Sequence, residues 1–206
     1  MKRGLFIVID GLDGSGKTTQ VKLLAEHIFN RSKSNSVFLT REPYSTALYA
    51  KIRAALRTTN NPHQRAELFL KLFVADRKLH LRDITRLLDR GVHVVTDRYK
   101  YSTLAYQHAQ GIPFEKLVEA HKGMLVPDCA IIIDLPVDAL LKRITNGGRK
   151  DAIEVFEQEA FMKKLRAQYR GLSKRLPREP IAIVSGVGSV EKVFARVKKV
   201  VDVVFS

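Results

Sequence analysis

A chain of 206 residues, 45% apolar and 28% charged, is long enough for one α/β domain with a sizeable core, and its balance excludes the disordered and collagen-like classes. A single cysteine, Cys129, excludes an internal disulfide, and no apolar run reaches the length of a membrane span or a secretory h-region, so a cytoplasmic location is expected. Lys+Arg 36 against Asp+Glu 21 gives a formal charge of +15, which favours polyanions, yet the basic residues are spread along the chain as on solvated helix faces.

In chain order, the first predicted strand covers residues 5–9, an apolar run short enough to be buried on both faces. It leads into Gly11-Leu12-Asp13-Gly14-Ser15-Gly16-Lys17-Thr18 and Thr19, and a helix predicted over 17–31 puts Val21, Leu24, Ala25 and Ile28 on one face. Strand, glycine-rich turn and helix form the setting in which G-x-x-x-x-G-K-[ST] reads as a phosphate-binding P-loop. A triphosphate needs many donors at close range, which backbone N–H groups supply once glycines remove the side chains. Lys17 is placed to reach the β/γ oxygens and the Thr18 hydroxyl to ligate Mg²⁺.

Further strands are predicted at 36–40, 92–96, 129–134 and 181–184, and helices at 46–58, 62–90, 101–110, 114–123, 137–145, 154–176 and 189–204. Pro62, Pro113, Pro127 and Pro136 fall at segment boundaries. Alternating strands and helices, without repeat or linker, predict a single doubly wound α/β domain: a five-stranded parallel sheet flanked by helices, with ligands beyond the carboxyl ends of its strands. The strand over 92–96 runs into Asp97-Arg98-Tyr99; a carboxylate there suits the magnesium shell, and the adjacent arginine suits a phosphoryl group. Asp134 rivals Asp97, although Pro136 gives it the look of a turn or cap residue.

With these motifs stand Thr40-Arg41-Glu42-Pro43, Ile52-Arg53, Leu72-Phe73-Val74-Ala75-Asp76-Arg77, Ser102-Thr103-Leu104-Ala105-Tyr106-Gln107 and Pro127-Asp128. In this order the chain resembles the thymidylate kinases, a family of P-loop nucleoside monophosphate kinases, nearly end to end. The resemblance implies the P-loop kinase fold with a short lid at about 144–153, and transfer of the ATP γ-phosphoryl group to dTMP to give dTDP and ADP. It also implies Mg²⁺ as cofactor, no membrane association, and a homodimer through helices around 46–90. For the acceptor it implies that Phe73 stacks on thymine and Arg77 meets the pyrimidine O4, with Ser102 or Gln107 near N3. Tyr106 would crowd a 2′-OH, Asp13 would accept from the 3′-OH, and Arg53 and Arg98 would clamp the acceptor phosphate, with Glu42 beside them. Stacking tolerates any base, so edge contacts must select thymine.

The ATP side would consist of Gly11 to Thr19 with Arg143 and Lys150, and Ser185-Gly186-Val187 would lie at the adenine edge. Leu12, Asp13, Gly14 and Ser15 carry no positive charge, so the group that neutralises the transferring phosphoryl must come from elsewhere. Arg149 is the first choice, with Arg143 and Lys150 as alternatives; Arg143 would otherwise stack on adenine. Two rival readings stay open. One is a kinase for another deoxypyrimidine acceptor; the other is a nucleic-acid-binding P-loop ATPase, motivated by the charge but unsupported by any basic run.

Overall fold

The computed structural model describes residues 3–146, 156 and 158–205. Its strands are β1 (Phe6–Gly11), β2 (Val37–Arg41), β3 (His93–Asp97), β4 (Cys129–Asp134) and β5 (Ile181–Ser185). The helices are α1 (Lys17–Asn30), α2 (Thr46–Arg57), α3 (Ala66–Asp89), α4 (Lys100–Ala109), α5 (Phe114–Ala120), α6 (Val137–Asn146), α7 (Glu159–Arg175) and α8 (Val190–Val204). The five strands pair in parallel in the order β2-β3-β1-β4-β5.

Side chains alternate across each strand, and the two faces have separate cores. Phe6 and Val8, with Val94, Ala130 and Ile132, pack against Ile84 and Leu88 of α3, Leu104 of α4, Leu140 of α6 and Leu165 of α7. Ile7 and Ile9, with Val95, Ile131 and Ile133, face Val21, Leu24 and Ile28 of α1 and Val193, Val197 and Val201 of α8. Cys129 is a buried thiol in this second core. The three central strands are enclosed on both faces as expected, but β2 and β5 keep exposed residues such as Leu39 and Ile183. They are the sheet edges, with a neighbour on one side only.

Two boundaries differ from the sequence reading in ways that bear on the site. β1 continues through Asp10 and Gly11, because Asp10 pairs with Ile132 and Gly11 with Ile133 of β4. α3 begins at Ala66, not 62, because residues 62–65 form a turn held against the end of α4 by the His63 ring and the Pro62 carbonyl. Among the described residues no helix is long and apolar enough to cross a membrane.

Candidate active site

The turn after β1 requires glycine for a steric reason. Gly11 has φ 139°, and a Cβ on it would stand 2.6 Å from the Ile133 carbonyl oxygen. Gly16 has φ 92° and precedes α1, whose N-terminus has no side-chain cap. Gly14, Gly16, Lys17, Thr18 and Thr19 line an open cleft of about 850 Å³, together with Asp13, Asp97, Arg98 and Arg143. An uncapped helix N-terminus is equivalent to roughly half a positive charge and is suited to an anion. Lys17 is buried, donates from Nζ to the Leu12 carbonyl at 2.7 Å and lies 3.8 Å from Asp13 Oδ1. Burial, and then the charge of Arg98, pushes its pKa below the ordinary lysine value against the pull of Asp13, Asp97 and Asp10. A polyanion in the cleft would offset that desolvation.

Asp97, at the tip of β3, accepts from Thr18 Oγ1 at 2.6 Å through Oδ2, while its Oδ1 is buried without a partner among the described residues. An unpaired buried oxygen costs roughly 1–3 kcal/mol, so this atom is set for a further ligand. Arg98 follows with φ 76°, a left-handed conformation that is strained for any residue but glycine. The kink is held by Arg98 N–H to Ile9 O at 2.9 Å and by Thr96 Oγ1 to Arg98 O at 3.1 Å. It brings the guanidinium onto Asp13 Oδ1 at 2.5 Å and Ser102 Oγ at 2.8 Å. Tyr106 donates to the other Asp13 oxygen at 3.0 Å. Burial would raise the Asp13 pKa, but Arg98, Lys17 and the Tyr106 hydroxyl outweigh it and hold the carboxyl well below the usual range.

Behind Arg98 lies Asp10, fully buried. Its carboxylate accepts from Gly11 N at 2.8 Å, Tyr99 N at 3.2 Å, Ser102 N at 2.9 Å, Ser102 Oγ at 2.6 Å and Tyr169 Oη at 3.0 Å. α4 has no cap from its own N-cap residue Tyr99. Asp10 supplies that cap from β1.

Beside the cleft is a half-open cavity of about 270 Å³, and the two share Asp13, Glu42, Pro43, Tyr49 and Arg98. Phe73 lines the cavity half-buried, and so does not belong to the packed interior. Arg77, 1% exposed, also lines it. Its Nε and Nη2 donate to Glu42 Oε2 at 2.8 and 2.6 Å, Nη2 also to Thr103 Oγ1 at 3.2 Å, and Nη1 to His121 Nε2 at 2.7 Å. These bonds use four of the five guanidinium N–H groups and leave one on Nη1. Arginine only donates, so His121 Nε2 must accept and its Nδ1–H must donate to Leu117 O, 2.7 Å away. Burial, and then the Arg77 charge, pushes the His121 pKa down to about 3, consistent with that neutral tautomer. Gln107 lines the same cavity, and its buried Oε1 has no partner among the described residues.

Comparison with known proteins agrees over almost the whole chain. The thymidylate kinase family pattern matches residues 9–197. A probable thymidylate kinase of Thermococcus onnurineus is 38% identical over 199 residues, covering 92% of this chain and 93% of that protein. A thymidylate kinase of Ruthia magnifica is 34% identical over 208 residues, covering 98% and 100%. The chain belongs to the thymidylate kinase family. Among solved structures, the thymidylate kinase of Ehrlichia chaffeensis superposes with TM-score 0.74 at 27% identity over 97% of this chain and 99% of that one. That of Candida albicans shares the fold, with TM-score 0.80 at 24% identity over 98% and 92%.

In this member of the thymidylate kinase family, all the residues expected around the acceptor line the one cavity: Asp13, Glu42, Arg53, Phe73, Arg77, Arg98, Ser102, Tyr106 and Gln107. Of the residues expected around ATP, Arg143 reaches the cleft and donates to Gly186 O at 3.3 Å, which joins it to the loop after β5. Arg149 and Lys150 lie outside the described residues, as does the expected lid apart from the end of α6. Asp134 is gripped by Arg166 of α7 through two bonds of 2.6 and 2.9 Å, away from the cleft lining.

Sequence reasoning missed Asp10, His121, Tyr49, Phe69 and Phe156. A carboxylate ending an apolar strand immediately before Gly11 was a usable signal for Asp10. Phe156 lines the cavity and packs edge-on to Tyr106 and Phe69 at 6.0 and 6.1 Å. No local pattern marks it.

Proposed function

We propose that the cleft holds ATP and the adjoining cavity holds dTMP, so that the chain transfers the γ-phosphoryl group in line to an oxygen of the dTMP phosphate. The bond from the γ-phosphorus to ADP breaks as the new one forms, leaving ADP and dTDP. The observation that carries this reading is that two residues lining the cavity each keep an unused hydrogen-bonding group: one N–H on Arg77 and the side-chain carbonyl oxygen on Gln107. They complement O4 and N3–H of thymine. Ser102, offered as an alternative for N3, is already committed to Asp10, Arg98 and Tyr169. Phe73 supplies a stacking face, and Tyr106 with Asp13 bounds the sugar.

The acceptor phosphate is largely ionised near neutral pH, so the chain needs no strong general base. Its work is positioning and charge neutralisation. α1 and Lys17 hold the polyphosphate, while Arg98, common to both cavities, holds the acceptor phosphate with Arg53. Asp13 restrains Arg98 and Tyr106 between them. Arg143, Arg149 and Lys150 remain the candidates for the remaining positive charge on the transferring group. Mg²⁺ fits this donor set: Thr18 and the unpartnered Asp97 Oδ1 would hold it, and when bound it neutralises charge on the β/γ oxygens.

The reading includes a single catalytic domain, a cytoplasmic location where ATP is supplied, and a homodimer through α2 and α3, which leave Tyr49, Leu68 and Leu79 exposed. Sedimentation equilibrium tests the dimer. Steady-state kinetics of Arg77→Ala test the acceptor site. The KM for dTMP is expected to rise at least ten-fold with that for ATP nearly unchanged; equal effects on both would place the acceptor elsewhere.

A further inference from the structure

We infer that Gln110, which does not line the cavity, fixes which end of the Gln107 amide meets the nucleobase and so sets the choice between thymine and cytosine. The inference rests on the reading of the cavity as the dTMP site. A carboxamide has an accepting and a donating end of nearly equal shape, so Gln107 on its own offers either to a ligand. A chain of hydrogen bonds removes the choice. Pro62, in the turn before α3, presents a carbonyl that can only accept. Gln110, buried at the end of α4, turns Nε2 toward that carbonyl and donates to it. Its Oε1 therefore faces Gln107, whose Nε2 donates to it across 2.8 Å. The accepting end of the amide that remains is Gln107 Oε1, buried and unpartnered among the described residues.

Reversing Gln107 alone would set two carbonyl oxygens against each other. Reversing both amides would set Gln110 Oε1 against the Pro62 carbonyl. Either choice exchanges a hydrogen bond for a repulsion in a buried place. The turn that supplies the carbonyl is itself held to α4, with His63 Nδ1 3.1 Å from Gln110 O.

Gln107, which lines the cavity, can therefore offer a base only one fixed acceptor, Oε1, along with the spare donor of Arg77. Thymine and uracil carry the matching edge, a carbonyl beside a protonated ring nitrogen. Cytosine carries an amino group beside an unprotonated nitrogen, wrong at both positions.

The test compares wild type with Gln110→Met, which removes the lock at similar volume, and Gln110→Glu, which keeps it. A buried carboxyl is driven to its protonated form, whose O–H donates to Pro62 while its other oxygen accepts from Gln107. After thermal melting establishes folding, kcat/KM for dTMP and for dCMP is measured at saturating ATP. The ratio of the two is expected to fall roughly ten-fold or more in Gln110→Met, through the acceptor KM, with the KM for ATP unchanged. In Gln110→Glu it is expected to stay within about two-fold of wild type. An unchanged ratio in Gln110→Met, or an equal fall in both variants, overturns the inference.

Should Gln110→Met not fold, NMR of the wild-type protein reads the same point. Binding of dTMP is expected to move the side-chain carbonyl carbon of Gln107 and leave its amide protons in place; movement of the amide protons instead overturns the inference. Failure of the dTMP reading would show separately, as a wild-type protein inert toward dTMP, and would take the inference with it.

Discussion

Arg77 illustrates how a buried charge is made useful. A guanidinium at 1% exposure is tolerable only when paired, and Glu42, Thr103 and His121 pair it while leaving one N–H for a ligand. His121 can play its part only when neutral. Its folded pKa of about 3 lies below the ordinary 6.5, so between those values the unfolded chain binds the extra proton and stability rises with pH. The contribution is complete above about 6.5 and is lost as pH falls toward about 3. Gln at this position can accept from Arg77 and donate to Leu117 without titrating. His121→Gln is therefore expected to reduce the pH dependence of stability by up to about 1.4 kcal/mol per pH unit within that window, read by urea denaturation at a series of pH values. Identical slopes would mean that His121 takes up no proton on unfolding. Phe73→Ala removes a stacking face worth about 1–3 kcal/mol, so the KM for dTMP is expected to rise between five-fold and a hundred-fold, roughly, with little change in melting temperature. A large loss of stability instead would mark Phe73 as a core residue.

At the level of elements, the carboxyl ends of β1 and β3 organise everything nearby. α4 depends on Asp10, a residue of another element, to satisfy the N–H groups of Tyr99 and Ser102. Asp10→Ala would remove a charged cap and strand several buried donors. It is expected to cost on the order of 3 kcal/mol in chemical denaturation and to raise the KM for dTMP, because Ser102 bonds this carboxylate and in turn accepts from Arg98, whose guanidinium lies 3.9 Å from it. This also marks the limit of what the chain's residue pattern discloses. The strands, α1 and the P-loop are legible because their signals are local: apolar runs, a helical stripe, and glycines at fixed spacing before Lys17. Asp97 and Arg98 are legible for the same reason, as polar residues at the tip of an apolar strand. Phe73 and Arg77 were placed only by the family resemblance, since periodicity alone puts Phe73 on a core stripe. Asp10, His121 and Gln110 act through partners far away in sequence, such as Tyr169, Arg77 and Pro62, and no spacing rule discloses those. The start of α3 differs for a related reason: the turn before it is tied to the distant end of α4 as well as by its own local bonds.

Across the whole molecule, the sheet order sets two cavities side by side and lets Asp13, Glu42 and Arg98 serve both. The formal +15 charge fits a protein whose two substrates are both polyanions, and the two KM values are expected to rise together with ionic strength. Lys17 lines the cleft and not the cavity, and its burial disfavours its charge, so Lys17→Ala is expected to lower kcat by orders of magnitude while the melting temperature stays near that of wild type. The most direct test of the central claim is one coupled assay of ADP formation from ATP with dTMP, dUMP, dCMP, AMP, thymidine or DNA as the added partner. The account predicts the highest kcat/KM with dTMP, a far lower value with dCMP, and no stimulation by DNA. ADP formation that ignores dTMP, or that needs DNA, would contradict it.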